Sequence, residues 1–201
     1  MVALLAAGSV FSFLGQQRDS NSRPEGGAAE ESGGSRYHVS LPKTVDGGRL
    51  ALDEDLSDKP ENQNPDLNPG DAQYVAWYAS DSGDERYLFV GYNSAAAEDG
   101  SSADKMLDGQ VDASDTSSPP KRHHITPPGA DEPLTCMVIP APESGRGAVA
   151  ATCAWDDTGS AASVSDGGDT AAAATSVKDY DLKAFAEKVD RIRRDVRNPA
   201  S

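Results

Sequence analysis

Apolar and polar positions along this chain fall into three kinds of pattern. Residues 74–79 and 87–92 are aromatic and β-branched, and the Asp81-Ser-Gly-Asp84 cluster between them predicts a hairpin. Leu134-Thr-Cys-Met-Val-Ile139 and Ala148-Val-Ala-Ala-Thr-Cys-Ala-Trp155 are two further strand-like runs, separated by a loop rich in proline and glycine. Asp156-Asp-Thr-Gly159 then turns the chain into a third strand over 160–164. Near the end, Leu182, Phe185, Val189, Ile192 and Val196 recur at helical spacing and make one apolar stripe. Asp179 and Asp181 open that helix and Arg191, Arg193, Arg194 and Arg197 close it, as the helix dipole favours, and Asn198-Pro199 ends it. The stripe predicts packing across the sheet; a helical partner is the other use of such a stripe.

The weaker segments complete the picture. Residues 37–48 read as one alternating strand ending in an Asp-Gly-Gly turn. Residues 51–71 read as an irregular loop with one helical turn, 94–111 as a weak helix, 112–131 as loop, and 167–175 as a low-complexity spacer. The expected architecture is α+β: a mostly antiparallel sheet of about five or six strands with the C-terminal helix packed on one face and long disordered segments. The expected division is an apolar N-terminal segment at 1–14, a disordered linker at 15–36 and an α+β domain at 37–197.

Cys136 and Cys153 are the chain's two cysteines. If their runs pair antiparallel about the middle of the loop, Cys136 faces Cys153 and Val138 faces Ala151, close enough for a disulfide. Alternation puts Val149, Ala151, Cys153 and Trp155 on one face, beside the core. Two reduced, buried cysteines in a cytosolic domain are the other reading. Neither cysteine belongs to a Cys-x-x-Cys or zinc pattern.

Composition changes this picture in two ways. Leu, Ile, Val and Phe make up about 16% of the chain, below the roughly 20% level that accompanies disorder in highly charged chains. The net charge of −15 argues against nucleic acid and against an anionic membrane surface as partners. Any membrane association is expected through the apolar residues 2–14 only. That run is shorter than a bilayer span and lacks a Lys/Arg-rich start, so it reads as the distal half of a signal-anchor or as an atypical export signal. A helix of a soluble domain is the remaining option.

Candidate chemistry is sparse. His123 and His124 invite a metal argument, yet neighbours on an extended strip point to opposite sides and their spacing fits no zinc pattern. Asn62, Asn64, Asp66 and Asn68 alternate as in calcium loops, but no glycine stands at the sixth position and no glutamate at the twelfth. Phosphate-binding loops, nucleophile elbows and dinucleotide fingerprints are absent from the sequence. The expectation is no cofactor, no metal site, no catalytic residue and no enzyme.

Leu41-Pro-Lys-Thr-Val-Asp-Gly47, the hairpin over 74–92, a weak helix, Cys136, Ala151-Thr-Cys-Ala-Trp-Asp156, a short strand and a terminal Arg-rich helix occur in that order. This order resembles a group of uncharacterised actinobacterial proteins, of streptomycete type, with one N-terminal membrane segment and an extracytoplasmic α+β domain. Asp156 stands where that group has alanine, and the Asn/Pro loop replaces its early helix. The resemblance implies a paired Cys136 and Cys153 and a membrane-tethered domain facing outward; the expected location is the cell membrane, with the domain outside, or secretion. It brings no site residues. The function expected is a non-catalytic binding or envelope-sensing domain, its partner an unknown protein or small ligand at the cell envelope. The alternatives are an extracytoplasmic hydrolase with a loop-built site and a purely structural domain.

Overall fold

The computed structural model describes residues 36–63, 67–94, 97, 101–112, 114, 119–140, 149–174 and 176–200. The elements in chain order are β1 (Tyr37–Val39), β2 (Thr44–Val45), β3 (Leu50–Asp55), β4 (Ala72–Ala79), β5 (Arg86–Asn93), α1 (Ser102–Asp112), β6 (His123–Ile125), β7 (Leu134–Pro140), β8 (Val149–Asp157), β9 (Ser160–Asp166), α2 (Asp169–Ala173), α3 (Leu182–Val196) and β10 (Arg197–Pro199). Short 3-10 turns at Pro60–Asn62 and Val177–Asp179 complete the set.

The fold is α+β, and its sheet is larger than the five or six strands expected. Eight antiparallel strands run in the order β2-β3-β4-β5-β9-β8-β7-β6, and β1 pairs with β10 in a separate two-stranded ribbon. Two four-stranded meanders, β2 to β5 and β6 to β9, lie side by side and join along β5 and β9. The connection between them carries α1 across the face opposite α3, where Leu107 packs with Met137, Ile139 and Ala154.

The strands absent from the sequence expectation are polar or short. β3 is Leu-Ala-Leu-Asp-Glu-Asp, which lies mostly exposed near one end of the sheet. β6 is His-His-Ile at the other end, inside what reads as a basic loop. β6 is an edge strand, and β3 is covered on its outer side only at Leu50 and Ala51, by β2, so the rest of it also runs along an edge; strands in such places carry charge that discourages unwanted pairing and lack the apolar signature of a strand. The single strand expected over 37–48 is divided at Pro42: β1 leaves to pair with β10, and Asn198-Pro199 belongs to that ribbon as well as ending the helix. The spacer expected over 167–175 contains α2, which buries Ala171. The expected N-terminal segment and linker lie outside the described residues. Among the described residues, no helix is long and apolar enough to cross a membrane.

One face of the sheet holds the main core. Phe185, Val189, Ile192 and Val196 of α3 are buried against Tyr78, Phe89, Leu134, Val164 and Trp155, and Leu182 packs at the margin. Tyr87 stacks on Phe185 at 6.2 Å between ring centroids, and Tyr180 meets the same ring edge-on at 5.9 Å. Burying each such side chain contributes about 1.5–3 kcal/mol, so this stripe is the main reason the helix is held.

Charges fix the angle of the helix. The β2–β3 turn places Asp46 at φ +55°, a conformation aspartate tolerates, followed by Gly47 and Gly48 at φ +64° and +86°. Its carboxylate is thereby buried and pairs with Lys188, at 3.0 Å, and with Arg191 of α3. Burial acts to raise the Asp46 pKa, but the hydrogen bonds and charges of Arg191 and Lys188 outweigh it and hold the group below the ordinary carboxylate range. Further along, buried Asp190 pairs with Arg193, 2.6 Å away, and with Arg194. Arg193 is therefore a buried ion-pair member rather than only a charge at the end of the helix dipole.

Cys136 and Cys153 are directly opposed in the β7–β8 ladder and joined by a disulfide, both fully buried. Val138 faces Ala151 in the same register, and Trp155 lies on the same core face. Closing 17 residues of chain restricts the unfolded state by about 3 kcal/mol. Replacing both cysteines by serine is expected to remove at least about that much, lowering the urea midpoint at unchanged protein concentration, since the buried hydroxyls also lack the bridge's packing.

Candidate functional site

Apolar and charged groups meet in a groove of about 800 Å³ between the end of the sheet and the start of α3. One wall is Lys121, Arg122, His123, His124 and Ile125, five consecutive residues centred on β6. The opposite wall is Val177, Lys178, Tyr180, Asp181, Leu182 and Lys183, and Val138 of β7 contributes to the floor.

Each wall has a local cause. β6 pairs with β7 so that His123 faces Cys136, His124 faces Thr135 and Ile125 faces Leu134. Prolines at 119, 120, 127 and 128 bracket it; lacking an N–H, they keep the strand short. Alternation points His123 and Ile125 to the α3 face and His124 to the other, where its Nδ1 lies 3.2 Å from the Thr135 hydroxyl. The two histidines therefore do not converge. Among the described residues, no group of three or more His, Cys, Asp or Glu side chains is assembled to hold a metal ion.

The second wall is set by the helix cap. Asp181 accepts a hydrogen bond from the Ala184 backbone N–H at 3.0 Å, which fixes where α3 begins. Tyr180, just before it, is buried, and its hydroxyl donates to Asp166 Oδ2 at 2.6 Å. Asp166 also accepts from the Gly168 N–H at 2.9 Å. Burial pushes Asp166 above the ordinary carboxylate range, opposed by those two donors. Burial, reinforced by the Asp166 charge, pushes the Tyr180 hydroxyl far up, so it stays a protonated donor.

The electrostatics of the groove run against those of the chain. Lys121, Lys178 and Lys183 are exposed, and among the described residues their ammonium groups have no partner. Arg122 is committed to Asp104, at 2.7 Å, and to Asp108, both on α1. The groove's carboxylate is Asp181, held in the helix cap. Between these charges lie Ile125, Val138, Leu182 and Val177. Val177, at 42% exposure, is the large apolar side chain left open to solvent among the described residues.

In a second concavity of about 610 Å³, lined by Asp46, Gly47, Arg49, Arg191, Arg194 and Asp195, most of the charged groups are engaged by the fold. Arg191 pairs with Asp46, Arg194 with Asp190, and Asp195 accepts from the Gly47 N–H at 3.1 Å. The oxygen-rich run from 62 to 71 likewise serves the fold. The Asn62 amide donates to the Leu56 carbonyl at 3.1 Å and Asn68 donates to Asp71, while Asn64 and Asp66 lie outside the described residues.

His123 and His124 were the residues of this groove that the sequence singled out, and for metal chemistry. Lys121 and Arg122 stand beside them in the stretch it read as loop, but Lys178 and Lys183 carried no signal, because nothing local announces that they face β6.

Replacing Tyr180 by Phe removes the donor to Asp166 and is expected to lower stability by about 1.5–3 kcal/mol at pH 7. The hydrogen bond favours the charged carboxylate, whose folded-state pKa is raised. In the wild type, Asp166 stabilises most when protonated, and that contribution is lost as pH rises from the unfolded value through the folded one. Without the tyrosine donor the folded pKa climbs further, so the deficit of the variant should grow with rising pH and shrink under acid. Urea titrations of both proteins across pH 4 to 8 check this; a deficit independent of pH would place the effect in packing alone.

Comparison with protein-family models, with curated proteins and with solved structures finds no match for this chain.

Proposed function

We propose that this is a non-catalytic binding domain that works outside the cytoplasm, tethered or exported by its N-terminal residues, and that its ligand is anionic with an apolar part. The observation that carries the reading is the groove beside β6. Three unpartnered ammonium groups surround an apolar floor on a chain of net charge −15. In a chain so acidic, lysines are expected to be dispersed among carboxylates; gathered without partners around exposed apolar surface, they favour a ligand of opposite charge.

The groove's polar groups support binding rather than bond making. They are fixed cations, a capping carboxylate and a tyrosine hydroxyl; the hydroxyl does have a carboxylate beside it, but both Tyr180 and Asp166 are buried and their hydrogen bond holds the chain together at the start of α3 rather than facing the groove. The disulfide supports the compartment, since such bonds persist where the surroundings are oxidising.

Anilinonaphthalene sulfonate, an anionic aromatic fluorophore, tests the groove directly. The folded, oxidised full chain should bind it at one site, and the combined variant Lys121→Glu, Lys178→Glu, Lys183→Glu should weaken binding at least about tenfold at an unchanged melting temperature. Equal binding by both proteins would remove the groove from consideration. The compartment has its own test: protein from native cells, alkylated at lysis and mapped without reductant, should yield the linked Cys136–Cys153 peptide pair in the membrane or secreted fraction. Free thiols in the cytosolic fraction would overturn it.

A further inference from the structure

We propose that the groove's occupant is an extended acidic segment of another polypeptide, which adds to β6 as a ninth strand of the sheet. The proposal rests on the reading of the groove as the binding site and names the class of ligand.

The first reason is the composition of the wall. His123 and His124 point to opposite faces of the sheet, yet both line the same groove, together with their neighbours on either side. A concavity that touches consecutive residues of both facings reaches around the edge itself, so the backbone of β6 forms part of it. Among the described residues β6 ends the sheet, and alternate N–H and C=O groups along its outer edge have no strand there to bond to. The three residues of β6 offer about 10 Å of extended backbone. A small anion would use the lysines and leave this row unmet; a second extended chain uses both.

The second reason is the opposite wall. Peptides dock by strand addition at an exposed sheet edge, with main-chain bonds giving affinity and pockets for alternate side chains giving selectivity, and the start of α3 supplies the second side of such a pocket here. Here side chains on one face of the added strand would meet Ile125, Val138 and Leu182, and acidic residues would meet Lys121, Lys178 and Lys183. The bracketing prolines at 119, 120, 127 and 128 limit the added strand to a few residues.

The third reason is selection by charge. The cations at β6 repel the same edge of another copy, and an uncharged or basic strand gains nothing from them, so the edge is protected against general pairing while remaining open to an acidic one. An anionic bilayer is disfavoured by the acidity of the chain as a whole.

The test uses the oxidised full chain and a pool of ten-residue peptides with glutamate at alternate positions and random Val, Ile, Leu or Tyr between them, beside a matched pool with lysine for glutamate. The glutamate pool should bind selectively and displace anilinonaphthalene sulfonate. In the tightest peptide, N-methylation of alternate backbone nitrogens along one edge should weaken binding at least about tenfold, and along the other edge should leave it unchanged. The combined lysine-to-glutamate variant should lose the peptide to a similar degree. Binding indifferent to methylation on either edge overturns the strand. So does failure of the glutamate pool to outbind the lysine pool while the fluorophore still binds, an outcome that leaves the anionic groove standing. Tight binding to phosphatidylglycerol vesicles with no selectivity between pools overturns it in favour of a membrane surface. Absence of fluorophore binding as well removes both readings.

Discussion

The burial of one helical stripe orders this structure. Phe185, Val189, Ile192 and Val196 cannot leave the sheet without exposing four large apolar side chains and uncovering Tyr78, Phe89 and Trp155 beneath them. Because that burial is non-directional, it holds α3 to the sheet but does not decide its angle. The angle comes from charges at fixed places. Lys188 and Arg191 reach the buried carboxylate of Asp46 on the β2–β3 turn, and Arg193 reaches the Glu132 carbonyl at 3.3 Å on the far side. A helix so clamped has its first turn fixed as well, and the first turn of α3 is one wall of the groove.

The same clamps explain the charge pattern of the molecule. Arg191, Arg193, Arg194 and Arg197 each meet a carboxylate, and Arg197 also lies 3.5 Å over the Tyr37 ring, tying the β1–β10 ribbon to the body. Arginine suits such work because its planar fork engages carboxylates and rings while staying charged. Lys121, Lys178 and Lys183 are different. Lysine is a mobile point charge on a long stem, costly to immobilise and well suited to following a ligand. The fold thus uses its arginines as struts and leaves these lysines around the groove.

What the sequence made legible follows from how local each cause is. The hairpin of β4 and β5, the β7–β8 register that opposes Cys136 and Cys153, and the stripe of α3 are all written within stretches of about 20 residues, where period and turn chemistry suffice. β3, β6 and β10 were not legible, because a strand at an edge or in a ribbon is defined by its neighbour rather than by its own apolar pattern. β10 finds its partner at β1, some 160 residues earlier in the chain. The groove fails for the same reason. Residues 121–125 and 177–183 each look like ordinary polar surface, and only the intervening meander, which places β6 at the end of the sheet and returns the chain to α3, brings them together.

That meander also links the disulfide to the site. Cys136 has two cross-strand neighbours: Cys153 on β8, to which it is bonded, and His123 on β6. The strand that supports the groove's wall is therefore the strand that the bridge holds. β6 has three residues and, among the described residues, no strand beyond it, so its order depends on β7 being a fixed template. An opened bridge would leave Cys136 and Cys153 buried but unlinked, and the loss would fall first on β6, the shortest strand of its meander and an exposed one. Oxidation, the state favoured outside the cytoplasm, is in this way a condition for an ordered edge at the groove as well as for global stability.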